Sequence, residues 1–195
     1  MTTALLLMDF QNGIVRRFTA GETSVLPAAR RALEAARAHG IPVVFVRVAF
    51  REGLPEVSSR NARFGAMKGS DAAAAMLETA EGTQIIAELA PEAGEPVVVK
   101  RRVGAFAGDL DVVLRGLDAT DLVLAGISTS GVVLTTVRDA ADRDFRLTVL
   151  ADACTDADPE VHRVLTEKVF PRQATVTTST AWAAGLDADP AVEPH

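Results

Sequence analysis

Short apolar runs alternate with amphipathic segments along most of the chain. "ALLLMD" (4–9), "PVVFVR" (42–47), "PVVVK" (96–100), "DLVLAG" (121–126), "LTVLAD" (147–152) and "ATVTT" (174–178) are too short for helices, and most are rich in β-branched residues. They predict strands. Over 24–38 the pattern places Val25, Ala29, Ala32, Leu33 and Ala36 on one face with arginines opposite, which predicts a surface helix. Segments 82–90, 109–117, 131–143 and 158–168 carry similar patterns. The last opens on Asp158 as N-cap with Pro159 at the first helical position. Near-continuous apolar strands joined by helices predict a parallel sheet covered on both faces, a three-layer α/β/α sandwich. Neither an internal repeat nor a linker is visible, so 1–188 reads as a single domain and 189–195 as a frayed tail.

Residues 48–82 break the rhythm, with turn signals and no clear strand. An excursion of this length is too long for a plain connection and predicts a substrate-covering loop, with a short helix around 71–78.

Composition narrows the function classes. The 195 residues can bury a core of their own, and 48% hydrophobic with 24% charged residues is ordinary for a globular protein. A net charge of −6 without a clustered Lys/Arg face argues against nucleic-acid binding. No apolar run reaches the roughly 20 residues that span a bilayer, so no membrane partner is expected. The opening "MTTALLLMD" lacks a basic region before its apolar run, so it is not read as a signal peptide. One cysteine forbids an internal disulfide and suits a reducing cytoplasm. His39, His162 and His195 have no ligand spacing, and neither a dinucleotide fingerprint nor a Walker lysine follows the first strand. No metal and no cofactor are therefore expected.

Ligands of open parallel sheets bind beyond the carboxyl ends of the strands. Asp9, Arg47, Lys100, the corner 126–132 and Asp152 occupy those ends. Asp9 closes a strongly apolar strand, where it could be a functional acid or a cap of the next turn. Lys100 ends another, where a core lysine needs a partner, though "KRR" also reads as a solvated basic run. Arg47 suits an ion pair with a carboxylate of the protein, or else of a substrate, and Asp152 suits the start of an Asx-type loop. At the corner, Ser128, Thr129 and Ser130 can cap the next helix, and Gly131 permits close approach. The free amides of a first helical turn there would suit an oxyanion.

These residues resemble the isochorismatase-like hydrolase superfamily, also called cysteine hydrolases. "LLLMDFQNGIV" is similar to its first strand with the catalytic Asp, "VVVKRRVGAFAG" to the segment with the catalytic Lys, and "LVLAGISTSGVVLTTVRDAADRDFRLTVLADAC" to its long corner motif. The resemblance spans about 4–178. It implies a Rossmann-like six-stranded parallel sheet of order 3-2-1-4-5-6, a cis peptide at Ile127–Ser128, and a homo-oligomer. It further implies Asp9 and Lys100 as catalytic residues and Phe106 as a pocket-lining aromatic; Gln11, Arg47, Ile127, Ser128 and Gly131 stand beside these as substrate-binding or oxyanion candidates. The departure is central. Val132 stands where cysteine members carry their nucleophile, so a thioester is excluded at that position. "FAGDL" is one residue short of the usual motif, and the D-x-H-x-x-H of metal-binding members is absent. Cys154 and the corner serines are not expected to replace the missing thiol. The expected activity is hydrolysis of a small metabolite through Asp9 as general acid/base and Lys100 as electrostatic or substrate-binding group, an isochorismate-type vinyl ether being one candidate. A silent member that binds a small molecule or a protein is the alternative.

Overall fold

The computed structural model describes residues 2–18 and 25–188. Its chain order is β1 (Thr2–Met8), α1 (Asn12–Phe18), α2 (Val25–Ala38), β2 (Val43–Val48), the excursion, and β3 (Val97–Lys100). Then follow α3 (Leu110–Gly116), β4 (Ala119–Ile127), α4 (Leu134–Ala141), β5 (Arg146–Thr155), α5 (Pro159–Val164), β6 (Thr175–Thr177) and α6 (Ser179–Ala188). The strands form one parallel sheet of order β3-β2-β1-β4-β5-β6.

Period-two alternation explains the layers. Leu5 and Leu7 of β1 join Val43 and Phe45 of β2 under α2, whose Ala29, Ala32, Leu33 and Ala36 are buried there. Leu6 and Met8 face the other way, with Val44, Leu124 and Val149, under Leu114 of α3 and Val137 of α4. Each buried Leu or Val side chain contributes roughly 1.5–3 kcal/mol, so both faces must be covered. The order reverses between β1 and β4, and the ends of those strands hold the site.

Some local expectations are met and others are not. Asp158 caps α5, its Oδ1 accepting from Glu160 N at 2.9 Å. The helix expected over 158–168 is shorter, because a π-turn at Leu165–Val169 and a 3-10 turn at Phe170–Arg172 continue it. The corner segment likewise starts as a π-turn at Thr129–Val133 before α4. No helix forms over 82–90, where 3-10 turns at Glu81–Thr83 and Ala87–Leu89 stand instead. The helix expected around 71–78 is a 3-10 helix, Asp71–Met76. Two helices went unforeseen, α1 and α6. Asp152 does not open a loop: β5 runs past it, and its carboxylate accepts from Ser179 N and Ser179 Oγ at 2.7 Å each, anchoring the start of α6.

The excursion has its own small core of Val48, Phe50, Leu54, Val57 and Phe64. Phe50 and Phe64 meet edge to face at 5.1 Å. Among the described residues no helix is long and apolar enough to cross a membrane. The tail read as frayed, 189–195, lies outside the described residues.

Candidate active site

Asp9 leaves the end of β1 in the left-handed region, at φ 61°, a conformation Asp tolerates better than most residues. Its amide donates to Val46 O at 2.8 Å, and Phe10 O accepts from Ile86 N at 3.0 Å. The turn is thus clamped between β2 and the end of the excursion. The carboxylate is buried and not a cap: Oδ2 accepts from Lys100 Nζ at 2.9 Å, while Oδ1 is buried without a hydrogen-bond partner among the described residues.

Lys100 is 1% exposed, so it belongs to no solvated basic run. Its ammonium donates to Val103 O at 2.7 Å and Arg102 O at 3.2 Å as well as to Asp9. Three donors thereby meet three acceptors. Two opposed effects act on Asp9. Burial favours the neutral acid, the Lys100 charge and hydrogen bond favour the carboxylate, and the pKa is raised above the ordinary 3.8 because burial dominates.

Gln11, buried at the start of the next turn, ties the surroundings together. Its Nε2 donates to Val48 O at 2.9 Å and Thr83 O at 2.8 Å, and its Oε1 accepts from Val48 N at 2.8 Å. The corner closes the other side. A cis peptide joins Ile127 to Ser128. A Cβ at Gly126 would lie 2.8 Å from Met8 O, a backbone atom, so that position requires glycine; one at Gly131 would lie 2.7 Å from Ser128 Oγ and would make that hydroxyl rotate away. The corner is less open to an oxyanion than expected. Ser130 N donates to Asp156 Oδ2 at 2.7 Å, and Gly131 N and Val133 N both donate to Ser128 O, at 3.1 and 3.3 Å. The wide π-turn brings one carbonyl within reach of both amides.

A cavity of about 700 Å³ unites Asp9, Lys100, Gln11, Ile127, Ser128, Gly131 and Val132. Two expected residues are elsewhere. Arg47 turns to the excursion and donates to Glu78 O and Thr83 O at 3.2 Å each, so it pins that segment in place of contacting the cavity. Phe106 packs beside Phe145, with the Arg143 guanidinium 4.6 Å from its ring centroid. Residues not foreseen complete the wall: Ile14, Arg17, Phe18, Arg63, Phe64, Met67 and Met76. The turn-rich composition of 48–82 hinted at Arg63, Phe64, Met67 and Met76, and no sequence signal pointed to the three from α1. Cys154 lies in β5, buried away from this cavity, with its thiol pushed up to about 12 chiefly by burial.

A six-stranded parallel sheet with a buried Asp–Lys pair at its switch point is an α/β fold with its site at the carboxyl ends of the strands. Residues 3–181 match the isochorismatase domain. A Burkholderia thailandensis isochorismatase family protein superposes with a TM-score of 0.84 at 28% identity, covering 95% of this chain and 96% of its own. YwoC of Bacillus subtilis, an isochorismatase family protein, is 32% identical over 171 residues, 87% of this chain and 86% of that protein. The ureidoacrylate amidohydrolase RutB of Stutzerimonas stutzeri is 32% identical over 210 aligned positions, 95% of this chain and 80% of its own. The chain therefore belongs to the isochorismatase-like hydrolase superfamily, as a member lacking the nucleophilic cysteine.

Proposed function

We propose that this hydrolase acts on a small metabolite without a covalent cysteine intermediate, with Asp9 as general acid and base and Lys100 as its electrostatic partner. One observation carries the reading: Asp9 lines the cavity with Oδ2 held by Lys100, while its Oδ1 is buried and has no hydrogen-bond partner among the described residues. A substrate donor placed at Oδ1 would give that oxygen the partner it lacks among the described residues. Because burial raises the Asp9 pKa, the protonated form is available to donate. The cavity volume suits a small molecule.

An isochorismate-type vinyl ether fits this chemistry. Asp9 delivers its proton to the enol-pyruvyl methylene carbon, and the resulting oxocarbenium-like carbon takes up water. The Asp9 carboxylate, held beside the Lys100 ammonium, accepts the proton released by that water. The hemiketal then collapses to pyruvate and an alcohol. Amide or ureide cleavage by the same pair would require direct attack of water, since Val132 offers no nucleophile. The Val132 side chain also favours a second reading, a silent member that binds a small molecule or a protein.

Isochorismate, small amides and ureides screened against the protein and its Asp9→Asn variant test the proposal. Turnover of one class that disappears in Asp9→Asn supports it; turnover that survives the substitution overturns it. The single-domain boundary 1–188, a cytoplasmic homo-oligomer and the absence of a nucleic-acid partner belong to the same reading. They rest on the lone cysteine, the acidic balance and the family pattern, and light scattering checks the oligomer.

A further inference from the structure

The buried cation of the cavity has no donor left for a substrate. Lys100 already gives its three N–H groups to Asp9 Oδ2, Arg102 O and Val103 O. Charge for an anionic ligand must come from elsewhere on the wall. Arg16 is engaged with Glu81 at 2.7 Å. Arg63 and Arg17 are the remaining cations of the cavity, both exposed, and neither has a carboxylate at ion-pair distance among the described residues. Each lies near an aromatic ring instead, Arg63 Cζ at 5.8 Å from the Phe64 centroid and Arg17 Cζ at 5.9 Å from that of Phe18.

Arg63 is held by a built turn. Asn61 Oδ1 accepts from both Arg63 N at 3.0 Å and Phe64 N at 2.9 Å. Phe64 is anchored in the excursion core against Phe50. The backbone beside the guanidinium is therefore fixed, which lowers the ordering cost of binding. The Arg63 charge also reaches Asp9, favouring its carboxylate behind the larger effects of burial and Lys100. Phe64, Met67, Met76 and Val103 give the same cavity an apolar lining.

We propose that Arg63, assisted by Arg17, forms a carboxylate-binding subsite at the cavity mouth. It selects small substrates whose anionic group lies remote from the bond presented to Asp9, across an apolar body. A guanidinium can grip a carboxylate through two parallel N–H donors, which a neutral amide cannot match. The inference rests on the reading of this cavity as the substrate site, but binding tests it without catalysis.

Benzoate and benzamide, equal in shape and different in charge, are the probes, with affinity read by isothermal titration calorimetry. Wild-type protein binds benzoate about tenfold more tightly than benzamide, as expected for one exposed charge-assisted pair, and the preference shrinks at high salt. Arg63→Gln removes most of that preference without changing the unfolding midpoint, and Arg63→Lys keeps part of it. Asp9→Asn retains the preference while losing turnover. Loss of preference in Arg63→Gln when no substrate turns over leaves the subsite standing and removes only the hydrolytic reading. Equal affinity of the two probes, no binding of either, or a preference unchanged in Arg63→Gln overturns the subsite.

Discussion

Lys100 Nζ lies 2.9 Å from Asp9 Oδ2, and both side chains are buried at the end of the sheet. Removing one partner of such a pair strands the other charge. Asp9→Ala should lower the unfolding free energy by ~3–5 kcal/mol, measured by urea denaturation at neutral pH. Asp9→Asn should cost less, because an amide oxygen still accepts from Lys100. Turnover should nevertheless fall at least ~100-fold in Asp9→Asn, since the amide cannot exchange the proton.

The pH dependence has a defined sign. The folded-state pKa of Asp9 is raised above 3.8, so the folded protein holds this proton more tightly than the unfolded chain. The stability linked to Asp9 is fully present below 3.8 and is lost as pH rises through the folded value. Because the acid form starts the reaction, kcat/KM should decline through the same ionisation. Unfolding free energies and rates measured across this range in wild type and Asp9→Asn check both limbs; a wild-type stability slope equal to that of the variant speaks against the raised pKa.

Val132 lines the cavity next to the cis-peptide corner. Val132→Cys replaces one γ-methyl by a thiol and removes the other, and should cost about 0.5–1.5 kcal/mol, as for the loss of one buried methyl. Val132 is 1% exposed and Cys154 5%, and burial pushes the Cys154 thiol up to about 12, so the native variant and the wild type should both stay unlabelled by iodoacetamide in intact-mass spectra. Unfolding should open two sites in the variant and one in the wild type. A labelled wild type would show that Cys154 is more accessible than its burial indicates.

Cys154→Ala removes a buried sulfur that is absent from the cavity wall. Stability should drop by ~1–2 kcal/mol from the small void, and kcat/KM should stay within about twofold of wild type. Activity lost with the fold intact would assign that thiol a role in the reaction.

Gln11 satisfies both backbone groups of Val48 and the carbonyl of Thr83. Gln11→Leu leaves buried polar groups unpaired and should cost on the order of 2–4 kcal/mol. Amide exchange at Val48 should accelerate together with the excursion. Unchanged exchange there would mean that β2 and β3 hold the excursion without Gln11.

Much of this molecule was legible in local chemistry. Each of the six apolar runs became a strand, and Asp158–Pro159 opened a helix, because burial on a pleated sheet and capping depend on residues close in sequence. The failures share a cause. α1 follows a turn-like "DFQNG", and its start is paid for by distant partners: Asn12 N donates to Gln84 O and Asn12 Nδ2 to Glu81 O. Residues 82–90 carry a helical pattern, yet Thr83 and Gln84 spend their side chains on backbone carbonyls of the preceding turn. Arg47 sits at a strand end but is drawn into that same turn.

By itself the sequence determined the alternation of strands and helices and the placement of Asp9 and Lys100 at strand ends. Each of these is a property of residue type and spacing. Only the tertiary structure decided that burial outweighs Lys100 in setting the Asp9 proton, and that Lys100 has no donor to spare. It also brought Arg63 to the cavity across a long excursion. Desolvation and hydrogen-bond saturation depend on atoms from distant segments meeting in space, and no local pattern encodes that meeting.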